Sequence, residues 1–117
     1  MSINRVFILG NAGRDPEVRR LEGGNVVAGF SVATTEYYKD KSGTTVERTE
    51  WHSVAVWGKT AEFVEKYVSK GSQVFVEGKL RSRKYTDKSG QERVVVEIMA
   101  DNVQLVGNKK SSDDLPL

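Results

Sequence analysis

VAVWGKTAEFVEKYVSKGSQVFVEG, residues 54–78, changes its hydrophobic period twice, and that change decides the fold. Up to Trp57 the valines recur at every second position, as they do in a strand with one buried face. From Thr60 onward Ala61, Val64 and Val68 recur at helical spacing, with Phe63 and Tyr67 beside them and Glu62, Glu65 and Lys66 turned to water. Thr60 is suited to cap the start of this helix and Gly71 to close its end. After Gly71 the period returns to two through Val74, Val76 and Gly78. The segment therefore predicts strand, helix, strand.

Working outward, residues 4–10 (NRVFILG) form an apolar, β-branched run that stops at the turn-rich NAGRDP. A second strand is expected over residues 26–38, after Gly23-Gly24-Asn25, with a bulge or bend at Gly29. The third covers residues 46–57, the fourth residues 73–85 and the fifth residues 91–106, the last two joined by TDKSG. The order β-β-β-α-β-β predicts a mainly β fold: a five-stranded Greek-key barrel, the OB-fold, with one α-helix between strands 3 and 4. An SH3-like barrel is the nearest rival but normally lacks that central helix. Residues 1–106 read as one domain, and residues 107–117 (GNKKSSDDLPL), which have no periodicity, as a short disordered tail with an acidic tip.

At 117 residues, with 38% hydrophobic and 29% charged side chains, the chain suits a single globular domain. Its net charge of +2 says little, because binding depends on where charge is concentrated. There is no cysteine, hence neither a disulfide framework nor a thiolate metal site. No apolar run approaches the roughly 18 to 20 residues of a membrane span, so a cytoplasmic location is expected. One histidine and no cysteine leave little from which to assemble a nucleophile, base and orienting group, and neither catalysis nor a cofactor or metal is expected. Gly58-Lys59-Thr60 resembles the end of a phosphate-binding loop, but Ser53 stands where its first glycine belongs.

Strand parity points instead to a binding face. In the third strand Trp51, Ser53, Ala55 and Trp57 share one side, and His52, Val54 and Val56 the other. Valines suit the core, which leaves both tryptophans outside. In the fourth strand Val74, Val76, Gly78 and Leu80 share one side, and Phe75, Glu77, Lys79, Arg81, Arg83 and Tyr85 the other. Phe7, Phe30, Phe63 and Tyr67 are assigned to the core. Exposed rings are unfavourable unless something covers them, and rings interleaved with cations suit a polymer with flat bases and phosphates. Duplex DNA hides its base faces, so the ligand expected is a single strand. The twin stretches YKDKSG (38–43) and YTDKSG (85–90) read as hairpin tips that set a tyrosine and a lysine at the end of a long ribbon. Parity leaves open whether Tyr37 or Tyr38 joins the tryptophans, and the parallel with Tyr85 favours Tyr38.

NRVFILGNAGRDPEVR, TEWHSVAVWGK and KGSQVFVEGKLRSRKYTDKSGQ together resemble the bacterial single-stranded DNA-binding protein family, over residues 4–106 and the last five residues. The resemblance implies an OB domain that assembles as a homotetramer and wraps single-stranded DNA during replication, recombination and repair. It implies stacking by Tyr38, Trp51, Trp57 and Tyr85, and phosphate contacts by Arg5, Lys41, Lys59, Lys70, Arg81, Arg83 and Lys84. His52 matches a position of subunit contact. Asp113, Asp114, Leu115, Pro116 and Leu117 match a tip that docks replication and repair proteins, with Leu117 in place of the family's terminal aromatic ring. A cytoplasmic, nucleoid-associated protein is implied. The alternatives are an OB-fold RNA-binding protein or a replication accessory that works through protein contacts; a stacking face by itself does not distinguish RNA from DNA.

Overall fold

A computed structural model of the chain describes residues 1–107. The strands are β1 (Val6–Ala12), β2 (Glu17–Arg20), β3 (Val26–Lys39), β4 (Thr45–Trp57), β5 (Gln73–Thr86) and β6 (Glu92–Gly107), with the helix α1 (Gly58–Tyr67) between β4 and β5. They pair in the order β1-β5-β6-β4-β3-β2, and a further pairing of β1 with β3 closes the sheet. The five expected strands are β1, β3, β4, β5 and β6, and they form the expected OB-fold barrel. All neighbours are antiparallel except β4 and β6, which meet in parallel at Val54 and Ile98. β2 is an addition. Its four residues are too few and too polar to give a period-two signal, and it exists because the edge of β3 from Val26 to Gly29 offers it backbone partners.

Alternation fills the barrel. Val26, Ala28, Phe30 and Val32 of β3, Val54 and Val56 of β4, and Val74 and Val76 of β5 are buried, joined by Ile98, Ala100 and Val103 of β6. The helix packs on β3, β4 and β6 through Ala61 and Val64, with Val68 just beyond it. Fully burying a valine is worth about 1.5–3 kcal/mol.

Several expectations change in detail. The helix starts at Gly58 with Trp57 at its cap and no side-chain capping bond, so Thr60 lies inside the first turn. It ends at Tyr67, before Gly71, because Val68 turns extended to bury its side chain. Gly71 and Ser72 are drawn instead to β1: Gly71 N donates to Ala12 O at 2.9 Å and Ala12 N to Ser72 O at 2.8 Å. Gly29 holds no bulge, since β3 and β4 pair without interruption from Val27 to Lys39. The β5–β6 ladder slips twice: between Gln73 and Val74, and at a bulge where Glu77 pairs Asn102 but Gly78 pairs Ala100, leaving Asp101 without a partner in the ladder.

Phe7 is exposed, not core: Val6, Ile8 and Gly10 take the inner side of β1, and Phe7 stacks on Phe75 outside at 6.3 Å. Tyr67 is likewise exposed, against Phe63, while Phe63 is half-buried and Phe30 buried as expected. Leu80 is exposed because β5 loses its pairing with β1 beyond Gly78 and runs on as a two-stranded ribbon with β6. The tail residues 108–117, with the expected tip at Asp113, Asp114, Leu115, Pro116 and Leu117, lie outside the described residues.

Candidate nucleic-acid interface

Cα partners across an antiparallel ladder share a side of the sheet. Trp57 therefore stands with Val27 and Arg19, Ala55 with Gly29 and Glu17, and Trp51 with Ala33. Where β4 meets β6, Ala55 pairs Met99, and the same side continues through Glu97, Arg81, Arg83 and Tyr85. The outer face is one surface running over β2, β3, β4, β6 and β5. Trp51 is 61% exposed and Trp57 40%, as parity predicts.

A groove of about 350 Å³ lies in this surface, lined by Trp57, Arg19, Arg81, Arg83, Glu17 and Glu97 among others. It brings together three of the expected residues, Trp57, Arg81 and Arg83. Trp51 sits further along the face, its ring lying directly over Gly13: a Cβ there would collide with the indole. Gly13 is itself fixed by its N–H bond to Ser31 O at 2.9 Å. The ring is thus held on a backbone platform.

Two hairpins extend the face. Each is locked by an aspartate: Asp40 accepts from Ser42 N (2.9 Å), Ser42 Oγ (2.7 Å) and Thr44 N (3.0 Å), and Asp87 from Ser89 N (3.0 Å), Ser89 Oγ (2.7 Å) and Gln91 N (3.0 Å). Gly43 and Gly90 close the turns at φ 84° and 87°, where only glycine is unstrained. Lys41 sits at one tip. Arg83 lies 5.9 Å from the ring centre of Tyr85, against its face.

The Arg93 guanidinium, then the Ser89 hydroxyl, hold the Asp87 carboxyl down at about 2 from an ordinary 3.8, and the Ser42 hydroxyl leads in lowering Asp40. A carboxyl depressed by folding contributes stability that is complete above its unfolded pKa and lost as pH falls through the folded one. Protection of the Ser89 and Gln91 amides from hydrogen exchange should therefore fall as pH drops from 3.8 toward about 2. The barrel amides of Val74 and Val76 should hold. Unchanged protection at the turn would mean that its carboxylate does not hold it closed.

Other expected residues fall elsewhere. Tyr37, not Tyr38, shares the tryptophan side, because the unbroken register puts Tyr37 opposite Glu47 and Tyr38 opposite Val46 on the reverse side. Lys84 pairs Val94 on the reverse of the β5–β6 ribbon from Arg81 and Arg83. Lys59 is exposed in the first turn of α1 beside Trp57, and Lys70 is exposed before β5 with its backbone N–H bonded to Asp15 Oδ1 at 2.8 Å. Arg5 is engaged twice, donating to Glu77 Oε2 at 2.8 Å and Asp101 Oδ2 at 2.9 Å. These bonds lower both carboxyls and raise the guanidinium further above its ordinary value. The bulge aims Asp101 at it. His52 is half-buried, its Nε2 2.8 Å from Thr34 Oγ1, at a depression of about 440 Å³ on the reverse of the β3–β4 hairpin.

Arg19, Glu97 and Gly13 escape the sequence reading, and Tyr37 is the alternative that parity leaves open. Arg19 lies on the strand without a signal, and Gly13 reads as turn. Glu97 leaves a trace, being the one charge in VVVEIMA at 94–100.

Residues 3–106 match the model of the single-strand binding protein family. The chain is 44% identical over 112 residues to the single-stranded DNA-binding protein of Neisseria meningitidis serogroup A, covering 96% of this chain and 64% of that one. It is 47% identical over 107 residues to that of Xylella fastidiosa strain Temecula1, covering 92% and 65%. The chain thus spans just under two thirds of the length of these relatives. Among solved structures, "Plasmodium falciparum SSB complex with ssDNA" superposes with a TM-score of 0.79 at 31% identity, covering 92% of this chain and 96% of that one. With the barrel, the ring-and-cation face and this match over nearly all the described residues, the chain belongs to the single-strand binding protein family.

Proposed function

We propose that this chain binds single-stranded DNA on the outer face of its barrel, with little regard to sequence and without catalysis, and so protects and organises unwound strands in replication, recombination and repair. The observation that carries this reading is the groove in which Trp57 lies among Arg19, Arg81 and Arg83. A ring offers a stacking surface to any base, and guanidinium groups at its rim replace the counterions of the phosphates. Trp51 and Tyr85 supply further stacking positions, and the β3–β4 hairpin adds Tyr37 on the same side and Tyr38 on the other. Lys41, Lys59, Lys70 and Lys84 track the backbone as it leaves the groove. Arg5, already held by two carboxylates, acts mainly as a strap between the N-terminal residues and the β5–β6 bulge.

The test is a titration of tryptophan fluorescence with oligo(dT), a duplex and an RNA oligonucleotide of equal length. Strong quenching by the DNA single strand, surviving moderate salt, is expected. Equal weak responses abolished by salt would leave only a generic polyanion surface, and stronger binding of RNA would sink the DNA reading. Arg81→Gln should also lower the slope of log K against log salt by about 0.7, the value of one single-strand phosphate contact. Arg5→Gln should leave that slope nearly unchanged.

Self-assembly, a homotetramer in this reading, is supported by apolar side chains left open on the barrel and the β5–β6 ribbon: Phe7, Leu9, Leu80, Val94 and Val96. His52 belongs to a subunit contact, and the tip from Asp113 to Leu117 docks replication and repair proteins in the cytoplasm, at the nucleoid.

A further inference from the structure

Two carboxylates line the cationic groove: Glu17 is exposed to solvent, and Glu97 is not. Glu97 is only 9% exposed, yet it lines the groove with Trp57, Arg81 and Arg83. Its Oε1 accepts from Arg83 Nε at 3.1 Å, and Arg81 stands opposite it in the ladder. Its other oxygen has no hydrogen-bond partner among the described residues. Such a charge repels phosphate, and a poorly solvated carboxylate gains most from a group that donates to it. In a nucleotide those donors are on the base edge: the amino groups of cytosine, adenine and guanine.

We propose that Glu97 is a specificity-determining residue, accepting a hydrogen bond from the amino group of a base stacked on Trp57 and so disfavouring thymine at that position. The proposal rests on reading the groove as a single-strand site. The groove holds the groups a nucleotide needs: arginines for the phosphate, an indole for the ring and a carboxylate for an amino edge. At about 350 Å³ the groove lies at the small end of ligand sites and suits one base. Cytosine and thymine make the sharpest comparison, because both are single pyrimidine rings with similar stacking area. Cytosine presents its N4 amino group, whereas thymine presents O4 there and flanks its one N–H with two carbonyl oxygens, which the carboxylate repels. The chain remains broadly sequence-tolerant, since Trp51 and Tyr85 have Ala33 and Arg93, not a carboxylate, opposite them in the ladder.

The experiment measures affinities of wild type, Glu97→Gln and Arg83→Gln for oligo(dC) and oligo(dT) of equal length, with circular dichroism to establish that each is folded. Glutamine keeps the size of the side chain but can donate to O4 of thymine as readily as it accepts from cytosine. In Glu97→Gln the ratio of oligo(dC) to oligo(dT) affinity should drop about three- to tenfold from wild type, the difference between a charge-assisted and a neutral bond. Arg83→Gln, which breaks the same ion pair but keeps the carboxylate, should weaken both oligonucleotides and leave their ratio in place. If Glu97→Gln weakens both equally, or neither, Glu97 only holds Arg83 and the proposal falls. If wild type binds neither oligonucleotide, the single-strand reading itself has failed.

Discussion

Trp57→Ala should bind oligo(dT) about tenfold or more weakly than wild type, and Trp51→Ala should show a loss of the same order, each with its fold intact. Base stacking on an aromatic side chain is worth about 1–3 kcal/mol per base, a range transferred from alanine substitutions in proteins of this class. Trp57 has the larger claim because it shares its groove with Arg19, Arg81 and Arg83, so a base on its ring has phosphate partners within reach. Trp51 stands alone but is held against Gly13, which limits the freedom its ring would lose on stacking. The fold should survive because both rings point away from Val54 and Val56, which are the residues of β4 that fill the barrel. The check pairs equilibrium titration with thermal unfolding. A variant that melts well below wild type would place its tryptophan in the structure rather than in the site. A folded variant with unchanged affinity would remove that ring from the interface.

Gly78→Val should destabilise the barrel by about 2 kcal/mol or more, a large effect for a single substitution. Gly78 faces inward at the β5–β6 bulge, and a side chain there would meet the carbonyl oxygen of Met99 and the Cα of Ala100. Both are backbone atoms inside the ladder, so relief requires strands to part rather than a side chain to turn. The same displacement would shift Asp101, which the bulge aims at Arg5, and loosen the ion pairs that tie Arg5 to Glu77 and Asp101. Thermal unfolding of the two proteins, followed by circular dichroism, measures the difference. Gly29→Ala is the control: the nearest atom to a Cβ there, Val54 O, is 3.8 Å away, an ordinary contact, and little change is expected. Equal stability of Gly78→Val and wild type would mean that the close approach of β5 and β6 is absent in solution.

The alternation of Val54 and Val56 with Trp51 and Trp57, and the helical recurrence of Ala61, Val64 and Val68, determined the barrel and its helix, because burial acts on each side chain according to a local period. The same parity put the tryptophans and Arg81, Arg83 and Tyr85 outside. At the hairpin tip the analogy of two turns favours Tyr38 over Tyr37, but an unbroken ladder keeps the strand's parity and puts Tyr37 with the tryptophans. Local period is overridden where closure of the sheet decides. Phe7, Tyr67 and Leu80 are apolar yet exposed, since hydrophobicity does not tell which side of a closed sheet, or which end of a ribbon, has neighbours left to cover it.

By itself, then, the sequence determined the order of elements, the inward valines and the outward rings, all consequences of periods a few residues long. Only the tertiary structure decided that Arg19 on a four-residue strand, Trp57, Arg81, Arg83 and Glu97 meet in one groove, and that Arg5 is claimed by carboxylates from two strands, β5 and β6. Those meetings depend on how β4 lies beside β6 and where the β5–β6 register slips, and such contacts between residues far apart in the chain form only when the barrel closes.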